Sequence, residues 1–98
     1  SIIKGDVPSR FALFPGYPNP FNPVTTIRFD IPISETLSAT SLHVFDLNGR
    51  MVVSLMDEMV EPGNHDIKWD ASNFSSGIYF IRLISNSKIH TQKLILMK

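Results

Sequence analysis

Three histidines, nine acidic residues and a scatter of serines are the groups from which this 98-residue chain could build a reactive centre. Their spacing suits none of the familiar ones. His43, His65 and His90 fall in three separate β-rich stretches, with no HxH or HExxH spacing and no carboxylate at a ligand offset, so we expect solvent-facing strand residues rather than metal ligands. Asp46 and Asn48 before Gly49 resemble the start of a calcium loop. The remaining oxygen positions and the distal glutamate are missing, and turn chemistry explains the pair. Ser75-Ser76-Gly77 is not the G-x-S-x-G elbow that presents a nucleophile between strand and helix. Asp57, Glu58 and Glu61 crowd one turn, as solvated loop carboxylates do. Cysteine is absent, which removes disulfides, thiolate ligands and thiol nucleophiles together. No catalytic, cofactor-binding or metal-binding residue is therefore assigned, and no enzyme activity is expected.

Binding chemistry is equally sparse. Nine basic residues balance nine acidic ones, and the basic residues do not interleave with aromatics, so no nucleic-acid partner is expected. No apolar run approaches the roughly 20 residues that span a bilayer, and the opening Ser-Ile-Ile-Lys-Gly-Asp lacks the build of a signal peptide. Direct membrane insertion is not expected. An export address would have to lie on a longer parent chain or in the fold itself. Trp69 and Tyr17 could stack on a sugar ring, as in a carbohydrate-binding or adhesive sandwich, but the alternation of Trp69 with Ile67 places the indole in a core.

The elements that hold these residues are strands. The length suits one domain, with residues 1 to 10 a linker from an upstream partner and residues 11 to 98 the domain. The proline-dense run from Pro15 to Pro23 excludes helix and central strand alike. An ordered, turn-rich segment is expected there, with Asn19 and Asn22 in Asx-type turns and with Tyr17 and Phe21 pinned on a core. Ile27, Phe29 and Ile31 share one face of a strand, opposite Thr26, Arg28 and Asp30. Residues 42 to 47 and 50 to 56 flank Asn48-Gly49, which predicts a type I′ hairpin. Glu61 to Asn64 makes a turn before the strand of Ile67 and Trp69; residues 72 to 77 form a loop. Tyr79, Ile81 and Leu83 alternate in a further strand. After the Asn86-Ser87 turn comes a last strand, apolar on both faces near its end and so expected inside a sheet. Six or seven short strands with frequent turns describe an all-β, antiparallel Greek-key sandwich.

Several motifs stand in order along the chain: Tyr17-Pro18-Asn19-Pro20-Phe21-Asn22-Pro23 with Thr25 to Phe29, Val44-Phe45-Asp46 with Gly49-Arg50, Pro62-Gly63, Trp69-Asp70, Ser76 to Tyr79 and the terminal Lys93-Leu94-Ile95-Leu96-Met97-Lys98. Together they resemble the C-terminal sorting domain, type A, of the bacterial type IX secretion system. The resemblance implies an immunoglobulin-like sandwich of about seven strands. It also implies a domain that directs a passenger protein from the periplasm across the outer membrane to the cell surface or beyond, commonly with cleavage and surface attachment. The implied partners are the type IX translocon, its sorting and cleavage machinery, and the passenger domain. By the same resemblance, Gly77, Tyr79 and Lys93 to Lys98 are candidates for translocon recognition, with Pro18 to Pro23 as a family signature. Of these, the terminal lysines have no folding role evident in the sequence, and Lys98 is the foremost signal candidate. Pro15-Gly16 departs from the polar residues more usual before Tyr17.

Overall fold

A period of two residues governs most of the chain after Val24, and the strands it predicts form. The computed structural model describes residues 8–35 and 37–98; of the linker expected at 1 to 10, residues 1–7 lie outside the described residues. In β2 (Val24–Ile31) every second side chain from Thr25 to Ile31 is buried. It pairs antiparallel with β1 (Ala12–Leu13) on one side and β5 (Gly63–Asp70) on the other. The second sheet has the order β4 (Met51–Val60), β3 (Ser38–Phe45), β6 (Gly77–Ser85), β7 (Lys88–Leu96), also antiparallel throughout. The chain crosses between sheets after β2, after β4 and after β5, which gives the immunoglobulin-like sandwich anticipated.

The core lies where the sheets face. Ile27, Phe29 and Ile31 of the three-stranded sheet and Leu42, Val44, Ile81, Leu83 and Leu94 of the four-stranded one are wholly buried. Each such side chain contributes roughly 1.5 to 3 kcal/mol of burial free energy. Buried hydroxyls are satisfied: Thr25 donates to the carbonyl of Pro18 at 2.8 Å, and Thr40 and Ser85 lie 3.0 Å apart.

Three expectations are corrected. The Asn48-Gly49 hairpin exists, but its turn is not type I′, because Gly49 (φ 82°) has positive φ and Asn48 does not. Asp46 decides the geometry: one carboxylate oxygen accepts the Asn48 and Arg50 N–H groups, while its carbonyl accepts Gly49 N–H. That oxygen serves the turn. The last strand, β7, is an edge strand; apolar residues on both its faces do not mark a central position. Finally, Tyr17 is not pinned on the core but 81% exposed, whereas Phe21 is buried as expected.

Candidate functional site

The proline signature and the terminal strand, far apart in sequence, meet along the outer edge of β7. A segment with prolines at 18, 20 and 23 lacks the N–H groups of a regular strand. Asn19 substitutes for the missing backbone: its side-chain NH₂ donates to the carbonyl of Lys93 and its side-chain oxygen accepts Ile95 N–H, both at 2.9 Å. Two residues on, Phe21 N–H donates to the Ile95 carbonyl at 2.9 Å and the Phe21 carbonyl accepts Met97 N–H at 3.0 Å. Asn19 therefore makes a long-range bridge and not the local Asx turn expected of it. The edge of β7 from Lys93 to Met97 is closed by a strap whose prolines offer no N–H to a further strand.

Aromatic packing fixes the strap from below. The Phe21 ring lies 5.5 Å from the Trp69 ring, and Trp69 in turn meets Phe74 at 5.6 Å and Tyr79 at 5.4 Å between centroids. Trp69 is 2% exposed, so it is core and offers no platform for a sugar. Its indole N–H is buried without a hydrogen-bond partner. Tyr17 instead borders an open cleft of about 490 Å³ with Phe14, Pro15, Thr26, Arg28 and Asp66.

The remaining recognition candidates gather at the same end. Tyr79 is buried and donates its hydroxyl hydrogen to the Ser75 carbonyl at 2.6 Å. Gly77 pairs with Leu96 and adopts φ 155°, where a Cβ would be strained although space is open. Gly77→Ala is expected to cost roughly 1 to 3 kcal/mol, visible as a lower urea midpoint. An unchanged midpoint would show that the backbone relaxes freely. The terminal lysine has a structural role after all: Lys98 donates from its ammonium to the Ser72 carbonyl at 2.6 Å and from its backbone N–H to the Ser76 hydroxyl at 3.0 Å. Leu94 and Leu96 belong to the core, while Lys93 and Met97 are exposed and Ile95 is half-buried.

Asp70 holds the other side of the 70–77 loop, accepting hydrogen bonds from the Ser72 hydroxyl and backbone N–H. These bonds, with a smaller contribution from nearby Lys98, keep its carboxyl below the ordinary aspartate range. On the same strand, β5, the Arg28 hydrogen bond does the same for Asp66. Both groups titrate lower folded than unfolded, so their stabilisation is complete above the usual carboxylate range and is lost as pH falls through the folded values. An Asp66→Asn/Asp70→Asn variant is therefore expected to show a shallower acid limb in urea midpoints measured against pH; an unaltered limb would refute the assignment.

No described His, Asp or Glu residues group closely enough, in threes, to hold a metal ion. His65 bonds the Glu61 carbonyl and stacks 5.1 Å from Phe29, while His90 packs edge-on to Phe11 at 4.9 Å. Ser72 and Ser76, which anchor Lys98, were not singled out from the sequence as its partners; loop serines carry no signal of which distant residue they will meet.

In this sandwich the proline motif straps β7, so that the two signature segments form a single structure. The family model described as a secretion system C-terminal sorting domain matches residues 16–97, and the chain belongs to that family. It is a sorting domain of type IX secretion, acting with that machinery to bring a parent passenger chain to the cell surface or extracellular space. Searches against curated proteins and against solved structures found no match.

Proposed function

We propose that the domain is read by the translocon as a folded address, and that it catalyses nothing itself. The observation that supports this is the strap: Asn19 and Phe21 hydrogen-bond the backbone of Lys93, Ile95 and Met97, so the signature and terminal segments form one surface only in the folded state. Recognition then involves the exposed parts of that end, Gly77, Lys93, Met97 and the rim of the Pro18–Pro23 strap. Tyr79, Leu94 and Leu96 support it from inside. Lys98 contributes chiefly by fixing the 70–77 loop. The passenger passes through the periplasm, and cleavage near residues 1 to 10 releases it for surface attachment, since the linker between domains is a preferred site of proteolysis.

The test is a fluorescent reporter fused upstream of residues 1 to 98, expressed in a host with the type IX system and in the same host without it. Export only in the first is the expected result. Equal export in both would overturn the sorting role, and mass spectrometry of the released reporter locates the cleaved bond.

A further inference from the structure

The two outward sheet faces differ in chemistry. On the three-stranded sheet the cross-strand neighbours are polar: Arg28 faces Asp66, with Nε 3.0 Å from Oδ1, and Asp30 accepts from Asn64 at 2.7 Å. Such alternation, apolar within and polar without, is normal for a solvated antiparallel sheet. The four-stranded sheet breaks it. Between the buried Tyr79, Ile81, Leu94 and Leu96, the outward positions are Ile78, Phe80 and Ile95. Register makes them one patch, because Ile78 pairs with Ile95, Phe80 with Lys93, and Phe45 with Phe80.

The charge on the strands of this patch has one sign, and the carboxylate of Asp46, next to Phe45, is engaged by the Asn48 and Arg50 N–H groups and lies beside the Arg50 guanidinium. The Arg82 guanidinium lies 4.5 Å from the centre of the Phe45 ring, and Lys93 stands opposite Phe80. Strands β3, β6 and β7 contain no Asp or Glu; all nine acidic residues lie at or before Asp70. The acidic residues of this sheet, Asp57 and Glu58, lie on β4 at the far edge. Contiguous apolar surface bordered by charge is characteristic of a binding face, and the strap leaves this face, rather than the closed edge of Lys93 to Met97, available for contact.

We infer that the outward face of the four-stranded sheet, centred on Ile78, Phe80 and Ile95, docks on a partner protein that presents apolar side chains bordered by carboxylates. The inference rests on the folded-address function and names the partner's chemistry. Charge decides against a second copy of this chain: like faces would bring Arg82 and Lys93 together without a carboxylate from β3, β6 or β7 to meet them. Burial of Phe80 and the isoleucines supplies affinity, while the cations orient the encounter and reject like-charged surfaces.

Reporter fusions in the type IX host test this. Arg82→Glu/Lys93→Glu is expected to lower export at least about tenfold, because like charges across an interface cost several kcal/mol, with the melting temperature of the purified domain nearly unchanged. Lys68→Glu, on the other sheet, should export normally. If loss of the Arg82–Phe45 contact unfolds the double variant, Lys93→Glu alone carries the comparison. A photo-crosslinking amino acid at position 80 should form an adduct with a protein of the export machinery, and one at position 26 should not. Failure of the unsubstituted fusion to export would refute the sorting role itself. Normal export of folded charge-reversed domains, with the unsubstituted fusion exported, would overturn only the docking face, as would equal loss from Lys68→Glu. Sedimentation of the domain with phosphatidylglycerol vesicles, without a protein adduct at position 80, would assign the face to anionic lipid and also overturn it.

Discussion

Removal of residues 93 to 98 is expected to leave a chain with no cooperative unfolding transition. Leu94 and Leu96 are 0% and 1% exposed, and truncating one buried leucine to alanine typically costs about 2 to 5 kcal/mol. Deletion also removes every β7 partner of Asn19 and Phe21, which frees the strap and uncovers Trp69. Domains of this size have about 5 to 15 kcal/mol of stability in total, so the combined loss consumes most or all of it. Urea titration followed by circular dichroism checks this; a truncated domain with a full-amplitude, sigmoidal transition would refute it. Failed export of a truncated passenger therefore reports unfolding together with loss of any signal. Surface substitutions such as Lys93→Glu separate the two.

Trp69→Ala is expected to lower stability by about 3 to 5 kcal/mol, as removal of a large buried aromatic does. The indole sits under the strap and touches Phe21, Phe74 and Tyr79. Trp69→Phe should recover more than half of that loss. It restores ring contacts and removes a buried N–H that has no partner, and such an unpaired donor costs about 1 to 3 kcal/mol. Urea midpoints of the three proteins measure both effects. A loss below about 1 kcal/mol for the alanine variant would contradict a core role.

The strands were legible because apolar phase survives in sequence: Ile27, Phe29 and Ile31 had to share a face whatever lay opposite. The hairpin at Asn48-Gly49 was legible in place but not in turn type. The choice depended on the Asp46 carboxylate, which captured two backbone N–H groups of the loop. The position of β7 was misread for an instructive reason: residues apolar on both faces occur in central strands, but also in an edge strand whose outward face awaits a partner. In the candidate site, the two family segments were recognisable separately. Their union was not, because it depends on the side chain of Asn19 reaching residues 74 and 76 positions away. Lys98 was likewise legible as a charge but not as an anchor of the Ser72 loop.

That separation of 74 positions also fixes an order of assembly. On a chain that emerges amino end first, the proline strap waits through five strands for the one it must close. Until β7 arrives, Asn19 has no partner and the Phe21 ring has no finished wall to enter; once β7 arrives, its edge stays open to other chains until the strap returns. Contacts this distant in sequence form slowly and late. An interrupted chain is therefore left unlatched, with a sticky strand edge that favours aggregation or proteolysis over transport. On the folded-address reading, closure of the latch marks a domain whose last strand is in place.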